Sequence, residues 1–110
     1  MPRSAPTPLV VVVGLGGVGS HAAQLLVRGG VHRLRLIDFD QVTLSSLNRH
    51  ATATRADVGL PKADVLRAAL LRIEPSAEIE TCVELFNANA AERLLQGSPA
   101  IIVDCIDDLR

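Results

Sequence analysis

The sequence predicts an α/β fold in which helices cover both faces of a doubly wound parallel sheet. Short runs of Val, Ile and Leu alternate with helical segments, and this alternation is typical of parallel sheets with right-handed crossovers. Apolar residues make up 48% of the 110 residues, whereas aromatic residues make up only 2%. We therefore expect an aliphatic core, as in a sheet whose strands are buried on both faces.

The first elements are predicted close to the start of the chain. Residues 9–13 form a continuous apolar run, which indicates a buried strand. A helix is expected from residue 17 to about residue 28, because Gly29-Gly30 can end it. Residues 34–38 form a second strand, and residues 39–60 form a long polar loop with short helical pieces. Loops of this length in a small domain are usually functional.

The second helix and the third strand follow this loop. Pro61 suits the first position of a helix. The apolar residues after it have the i, i+3, i+4, i+7 spacing of one helical face, namely Leu66, Ala69, Leu70 and Ile73. Pro75 closes this helix, and the alternation of polar and apolar residues over 78–83 predicts a third strand.

The last predicted elements are a helix over residues 87–96 and a strand over residues 100–104. Either Asn87 or Asn89 can cap the helix, because Asn is a preferred N-cap residue. The strand is a run of apolar residues that ends in an aspartate, and the turn before it contains Gly and Pro.

Length, charge and cysteine content limit the classes of protein to consider. The chain suffices for one domain, over residues 9–110, with a flexible lead over residues 1–8. Four strands with crossover helices make an incomplete Rossmann-like sheet, so we expect the first part of a larger domain. The formal net charge of −1 is no signature of a nucleic-acid-binding surface. Cys82 and Cys105 lack the spacing of a disulfide framework, so no disulfide partner is expected.

The most informative segment is the glycine-rich turn between the first strand and the first helix. Residues 14–19 read Gly-Leu-Gly-Gly-Val-Gly, so Gly14, Gly16 and Gly19 satisfy the G-x-G-x-x-G pattern. Glycines let the backbone approach a phosphate, and the helix N-terminus supplies N–H donors and a positive dipole end. We expect these three glycines and Gly17 to bind a nucleotide, and the pattern alone is compatible with both ATP and NAD.

Polar residues after the second strand are candidates for contacts with the rest of the nucleotide. Asp38 ends that strand and can accept hydrogen bonds from ribose hydroxyl groups, with Asp40 as a second carboxylate. Arg49, next to Asn48, offers a planar fork of donors that matches phosphate oxygens. The alternative interpretation is a solvated loop acid for Asp40 and a surface arginine for Arg49.

Two further charged residues extend this set. Lys62 lies in the first turn of the predicted second helix, where a cation is unfavourable against the helix dipole, and a bound phosphate chain would remove that conflict. Asp107 follows the fourth strand and can hold Mg²⁺, which prefers oxygen ligands, or it caps a helix. Cys105 is interpreted as a structural thiol. His50 is the histidine of most interest, because it adjoins Arg49.

Together these segments resemble the adenylating domain shared by ubiquitin-activating enzymes and their bacterial relatives in thiamine and molybdopterin sulfur transfer. Within that superfamily the chain is most similar to the tRNA threonylcarbamoyladenosine dehydratases of fungi. Ser46 and His50 stand where sulfur-transfer relatives often carry Asn and Gln, which favours the dehydratase branch. The matching segments are residues 13–20, 37–40, 47–49, 58–62 and 103–107.

The resemblance implies an ATP-dependent adenylating enzyme of the ligase class that cyclises threonylcarbamoyladenosine at position 37 of certain tRNAs. ATP adenylates the threonyl carboxylate, AMP leaves, and the ring closes into a hydantoin or oxazolone form. By the same resemblance, Asn48, Arg49 and Lys62 hold the triphosphate. Arg49 and Lys62 would be catalytic by stabilising charge at the transferring phosphorus, and Asp107 would carry Mg²⁺.

The resemblance also implies partners and a location. It implies tRNA, contacted through regions outside these residues, a homodimer, and the cytosolic face of the mitochondrial outer membrane, with the cytoplasm as the alternative. Two other functions stay open: an activating enzyme for a ubiquitin-like or sulfur-carrier protein, and a NAD-dependent oxidoreductase domain. A downstream catalytic cysteine would indicate the first, and stabilisation by NAD rather than ATP would indicate the second.

Overall fold

The computed structural model describes residues 7–48 and 50–106 and confirms the predicted α/β fold. The strands β1, β2, β3 and β4 are Leu9–Val13, Arg33–Ile37, Glu78–Cys82 and Ile101–Asp104. The helices α1, α2 and α3 are Gly17–Arg28, Lys62–Ile73 and Ala88–Leu94. The strands form one parallel sheet in the order β3-β2-β1-β4, which is the Rossmann-like arrangement expected.

The element boundaries agree with the predictions to within a few residues. β1 and α1 occupy the predicted positions, and Gly30 follows α1 with a φ of 105° that glycine readily adopts. One detail of the prediction is wrong, because Pro61 is the N-cap of α2 rather than its first helical residue. The cap of α3 is Asn87, whose Oδ1 accepts a hydrogen bond from the backbone N–H of Ala90 at 2.9 Å.

Successive residues of β1 face opposite sides of the sheet, so each face has its own core. On one face, Val10 and Val12 pack with side chains from α1 and α2. On the other face, Val11 and Val13 pack with Leu94 of α3. The face covered by α1 and α2 carries the larger cluster of buried apolar residues.

Arg35 is a charged residue within the smaller core on the α3 face. Its side chain is only 9% exposed, and its Nε donates to Oε1 of Glu80 on the neighbouring strand at 2.7 Å. Its Nη1 donates to the carbonyl oxygens of Leu94 and Gln96 at 2.8 and 2.7 Å. The guanidinium group therefore satisfies carbonyl groups at the end of α3 and fixes that helix to the sheet.

The sheet order brings three chain segments together at the carboxyl ends of the strands. β1 lies between β2 and β4, although β4 is the strand farthest from β1 along the chain. The segments that follow these three strands begin with Gly14, Asp38 and Cys105. Ligands of open α/β sheets bind beyond this edge of the sheet, so the fold positions a site among these residues.

The loop between β2 and α2 has little regular structure, as predicted. It contains two short 3-10 turns, Leu44–Ser46 and Arg55–Asp57. An antiparallel bridge between Gln41 and Pro61 closes its base. Within the part of the chain that the structure describes, no helix has the length and apolar character needed to cross a membrane.

Candidate functional site

A cleft of about 640 Å³ lies at the carboxyl ends of the strands. Its wall combines the glycine turn after β1, the segment after β2, the first residue of α2 and the segments that follow β3 and β4. These parts are far apart in the sequence, and the parallel sheet brings them together. The wall comprises residues 13–17, 37–40, 46, 50, 62, 84–86 and 105–106.

The glycines of the turn have two different kinds of surroundings. Gly14 has a φ of 88°, and a Cβ atom there would lie 2.9 Å from the backbone of Cys105. A Cβ atom at Gly19 would lie 1.7 Å from the carbonyl oxygen of Gly14, so this glycine allows α1 to pack closely on the turn. A Cβ atom at Gly16, by contrast, would meet nothing within 4 Å. The protein fills the space beside Gly14 and Gly19 and leaves the space beside Gly16 open to the cleft.

The N-terminus of α1 faces this open space with its backbone donors unpaired by side chains. Gly16 is the N-cap and makes no side-chain capping bond, and the first turn of α1 contains no acidic residue. The first N–H groups of a helix lack partners within the helix, and the dipole places partial positive charge at that end. This end of α1 is therefore suited to an anion such as a phosphate group.

The carboxylate of Asp38 connects the glycine turn to the loop after β2. Its Oδ2 accepts a hydrogen bond from the backbone N–H of Leu15, and its Oδ1 accepts one from the N–H of Asp40, each at 2.7 Å. The two bonds fix the orientation of the carboxylate. Each carboxylate oxygen has a second lone pair, so both oxygens can still accept a hydrogen bond from a ribose hydroxyl group.

Lys62 places a cation on the cleft wall. Its side chain is 13% exposed, and its Nζ lies 3.8 Å from Oδ2 of Asp40, a carboxylate that is 51% exposed. The backbone N–H of Lys62 donates to the carbonyl oxygen of Asp40 at 3.0 Å, which holds the start of α2 beside the loop. Among the described residues this long contact is the only ion pair of the ammonium group.

His50 is a buried wall residue, with 8% of its surface exposed. Its Nδ1 accepts hydrogen bonds from the backbone N–H groups of Thr52 and Ala53 at 3.2 and 3.0 Å. Burial, and after it the charge of Lys62, lowers the pKa of His50 below its usual 6.5. The imidazole ring is therefore neutral at pH 7.

The chain contains no Trp or Tyr, and both of its Phe residues line the cleft. Phe39 is 50% exposed there, and its ring offers a flat apolar surface to a planar base. Near Phe86 on the same wall, Glu84 accepts two hydrogen bonds from Arg93 at 2.6 and 3.0 Å. These bonds lower the pKa of Glu84, so this acid is ionised at neutral pH.

The two thiols are poorly suited to nucleophilic chemistry. Burial is the main reason why the pKa values of Cys82 and Cys105 are raised above the usual value of 9.0, and the charge of Asp104 adds to the effect at Cys105. A raised pKa leaves little thiolate at neutral pH. The thiol group of Cys105 therefore serves as part of the cleft wall.

The comparison with protein families decides the family. A model described as the ThiF family matches residues 7–110. The chain belongs to the ThiF family. This assignment agrees with the position of the cleft, because the glycine turn, Asp38 and Lys62 all lie within the matched residues.

Individual relatives of this ThiF-family chain include dehydratases and adenylyltransferases. It is 51% identical over 102 residues to tRNA threonylcarbamoyladenosine dehydratase 2 of Saccharomyces cerevisiae, which covers 91% of this chain and 23% of the relative. It is 41% identical over 100 residues to the molybdopterin-synthase adenylyltransferase of Escherichia coli, which covers 91% of this chain and 40% of that protein. The chain thus spans well under half the length of these relatives.

A solved structure matches the whole described fold. The tRNA N6-threonylcarbamoyladenosine dehydratase of E. coli, solved in complex with ATP, matches with a TM-score of 0.89 and 33% sequence identity. The match covers 94% of this chain and 42% of the other chain. At this identity and TM-score, the ThiF-family chain and the bacterial enzyme share the arrangement of strands and helices around the cleft.

The structure brings most of the predicted site residues of the ThiF-family chain to one wall, namely Gly14, Gly16, Gly17, Asp38, Asp40 and Lys62. Gly19 lies behind the turn, against the carbonyl group of Gly14, and Asn48 is exposed on the loop and does not line the cleft. Arg49 and Asp107 lie outside the described residues. Roles in ligand binding for these four residues stay predictions.

The sequence reasoning missed several residues of the wall. Ser46 lines the cleft, and its Oγ donates to the carbonyl oxygen of Thr43 at 2.8 Å within a 3-10 turn. The segment of residues 84–86 lines it because the chain leaves β3 at the same sheet edge. The composition gave one usable signal for such residues, since Phe39 and Phe86 are the only phenylalanines in a chain without Trp or Tyr.

Proposed function

We propose that this chain is the ATP-binding portion of an ATP-dependent tRNA threonylcarbamoyladenosine dehydratase. The observation that carries the ATP part of the proposal is the position of Lys62. Its side chain is nearly buried on the cleft wall, and its ion pair with Asp40 is long, at 3.8 Å. A poorly paired, nearly buried cation is unfavourable. A triphosphate beside the N-terminus of α1 would provide the missing anion.

The relatives support the choice of substrate. The yeast protein that is 51% identical to this chain is a tRNA threonylcarbamoyladenosine dehydratase. A bacterial enzyme of the same name was solved in complex with ATP and also with AMP, both with a TM-score of 0.89 to this chain. AMP is the nucleotide that remains after an adenylation step, so both complexes are compatible with the proposed chemistry.

In the proposed reaction, an oxygen of the threonyl carboxylate attacks the α-phosphorus of ATP, and pyrophosphate leaves with the electrons of the broken P–O bond. A nitrogen or oxygen atom of the same modification then attacks the acyl carbon, which closes the ring and releases AMP. One water is removed from the base overall, and its oxygen leaves on AMP. Adenylation is needed because a free carboxylate oxygen is a poor leaving group.

The residues of the chain would bind the nucleotide and balance its charge. The N-terminus of α1 would hold a phosphate group through backbone N–H donors, and Gly16 leaves the space for it. Asp38 would accept hydrogen bonds from the ribose. Lys62, together with Arg49, would stabilise negative charge at the transferring phosphorus, and it is already positioned before the nucleotide binds.

Mg²⁺, tRNA, a homodimer and a mitochondrial location are further parts of the proposal. Bound Mg²⁺ would neutralise charge on the phosphate oxygens, and Asp107 would hold it. No group of three His, Cys, Asp or Glu side chains suited to a metal occurs among residues 7–48 and 50–106. The support for the tRNA partner, the dimer and the location is similarity to a fungal dehydratase, of which this chain spans 23%.

Nucleotide binding is tested by titrating the purified protein with ATP and with NAD and following its thermal unfolding. We expect stabilisation by ATP and none by NAD. Lys62→Ala should weaken ATP binding about a hundredfold, because a charge-assisted contact contributes roughly 2–3 kcal/mol. Arg72→Ala is the matched control, since Arg72 is an exposed cation in the last turn of the same helix. Stabilisation by NAD alone would contradict the proposal.

The tRNA reaction is tested in cells. Deletion of the gene that encodes this chain should remove the cyclic form of threonylcarbamoyladenosine from tRNA, as measured by mass spectrometry of tRNA nucleosides. The wild-type gene should restore the cyclic form, and the gene that carries Lys62→Ala should not. Cyclic nucleoside at the wild-type level in the deletion strain would rule out the assigned substrate.

Activation of a sulfur-carrier or ubiquitin-like protein is the second candidate function. It is favoured by the 41% identity to the molybdopterin-synthase adenylyltransferase of E. coli over 100 residues. Both functions include adenylation of a carboxylate, so ATP binding does not separate them. AMP formation that depends on a carrier protein with a free C-terminal carboxylate, and not on modified tRNA, would support this candidate.

A further inference from the structure

His50 has one ring nitrogen occupied and one unoccupied. Nδ1 accepts hydrogen bonds from the backbone N–H groups of Thr52 and Ala53. An accepting Nδ1 carries no proton, so the neutral ring carries its proton on Nε2. Nε2 is buried and has no hydrogen-bond partner among the described residues.

An unpaired N–H group in this position is unfavourable for the isolated chain. A buried donor without an acceptor retains the full cost of its removal from water. The ring is held in place by its two Nδ1 contacts and is 8% exposed, so it cannot turn to water without breaking them. Buried polar groups that the fold leaves unpaired often await a ligand.

The surroundings of His50 indicate which ligand. His50 lines the cleft together with Gly16, Gly17 and Lys62. The charge of Lys62 is near enough to lower the pKa of His50, so the unpaired donor and the loosely paired cation share one region. The acceptor that fits both groups is an anionic oxygen.

The backbone next to His50 is also connected to the glycine turn. The hydroxyl group of Ser20 accepts a hydrogen bond from the backbone N–H of Ala51 at 3.0 Å and donates one to the carbonyl oxygen of Gly17 at 3.2 Å. Ser20 is fully buried. The histidine therefore has a fixed position relative to the N-terminus of α1.

We propose that His50 is a nucleotide-binding residue that donates a hydrogen bond from Nε2 to a phosphate oxygen of ATP. This inference rests on the proposed function, because it assumes that ATP occupies the cleft. The role differs from that of Lys62, since the ring is neutral and contributes direction rather than charge. Its backbone contacts through Nδ1 fix the tautomer that makes Nε2 a donor.

Two amide substitutions separate the two nitrogens of the ring. The Oδ1 atom of an asparagine occupies the position of Nδ1, so His50→Asn keeps the acceptor for the backbone and removes the donor in the cleft. The Nε2 atom of a glutamine occupies the position of Nε2, so His50→Gln keeps that donor. Thr52→Val is the matched control, because its Oγ1 is also buried and unpaired among the described residues, whereas Thr52 does not line the cleft.

The experiment is calorimetric titration of the full-length protein with ATP and with adenosine. We expect His50→Asn to weaken ATP binding about tenfold, as for one hydrogen bond to a charged acceptor, and to leave adenosine binding unchanged. His50→Gln should bind ATP within about threefold of the wild type, and Thr52→Val should equal it. In ¹⁵N NMR spectra, ATP should shift the Nε2 resonance of His50 more than adenosine does.

Two outcomes would overturn the inference, and they are distinguishable. If the wild type binds ATP and His50→Asn binds it equally well, His50 makes no contact with the phosphates, and the proposed function stands. Equal losses for ATP and adenosine would assign His50 a purely structural role. If the wild type binds no ATP, the proposed function fails and the role of His50 fails with it.

Discussion

Arg35 and Lys62 are two nearly buried cations in different regions of the molecule, and their surroundings differ. Arg35, on the α3 face of the sheet, makes hydrogen bonds to Glu80 and to two carbonyl groups at the end of α3. Lys62, on the cleft wall, has a single ion pair at 3.8 Å among the described residues. The protein satisfies the first cation completely and leaves the second available, which indicates structure in one place and ligand binding in the other.

The glycines of the turn repeat this contrast within six residues. Gly19 has a protein atom where a Cβ would be, and Gly16 has empty space. The region around Gly19 and Arg35 is thus filled and fully bonded, and the region around Gly16, His50 and Lys62 is not. Each prediction below changes one member of these two regions.

The largest effect is expected from Gly19→Ala. The added Cβ would lie 1.7 Å from the carbonyl oxygen of Gly14, so α1 must move away from the turn. We expect a loss of about 3 kcal/mol or more in the free energy of unfolding, measured by urea denaturation. Gly16→Ala is the control: it should unfold like the wild type and bind ATP about tenfold more weakly. Equal stability of the two variants would remove the distinction between the glycines.

The next largest effect is expected from Arg35→Met. The substitution keeps an apolar stem and removes three hydrogen bonds, two of them to carbonyl groups that would be left without these donors. We expect the free energy of unfolding to fall by about 2–4 kcal/mol. ATP affinity of the folded protein should not change, because Arg35 does not line the cleft. A strong loss of ATP affinity in a folded Arg35→Met protein would contradict the division into two regions.

A smaller effect is expected from pH. Because the pKa of His50 is lowered in the folded protein, the unfolded chain binds a proton below about pH 6.5 while the folded ring stays neutral. Stability should therefore fall as the pH is lowered from 6.5, in the window between the unfolded and folded pKa values. Among the neighbouring charges, Lys62 and His21 lower this pKa, and Asp57 and Asp38 raise it.

The control for this pH effect is His50→Asn, which cannot titrate. The variant should lose less stability than the wild type between pH 7 and pH 5, measured as the change in Tm. Identical pH profiles for the two proteins would show that His50 does not contribute to the acid sensitivity.

The smallest effect is expected from Lys62→Met on stability without nucleotide. Its ion pair with Asp40 is long, and Asp40 is half exposed, so removing the charge should change the free energy of unfolding by less than about 1 kcal/mol. The contrast with Arg35→Met under the same conditions is the measurement of interest. A loss for Lys62→Met as large as that for Arg35→Met would show that Lys62 supports the fold.

Much of the fold could be predicted because its signals are local. The apolar run of residues 9–13 and the glycines behind it define β1 and the start of α1 without any distant contact. Residue composition also marked the loop between β2 and α2. Boundaries shifted by a residue or two because strand ends depend on pairing with neighbouring strands.

The site was predictable only in part, because its other members depend on tertiary contacts. The candidate Asp38 followed from its place after a strand, whereas its bond to the N–H of Leu15 requires β1 and β2 to be adjacent. The roles of His50 and of residues 84–86 arise from the loop path and from the sheet order. Adjacency to Arg49 drew attention to His50, but nothing in the sequence assigns its tautomer.

The place of β4 beside β1 also affects how the chain matures during synthesis. Val10 pairs with Ile101, near the opposite end of the described chain. Ribosomes add about 5–20 residues per second, so one edge of β1 waits roughly 5–20 s for its partner. During that interval the most apolar strand of the sheet exposes unpaired N–H and C=O groups. Nascent chains are therefore vulnerable to edge-to-edge association until β4 emerges, and slower translation near the end of this segment prolongs the exposure.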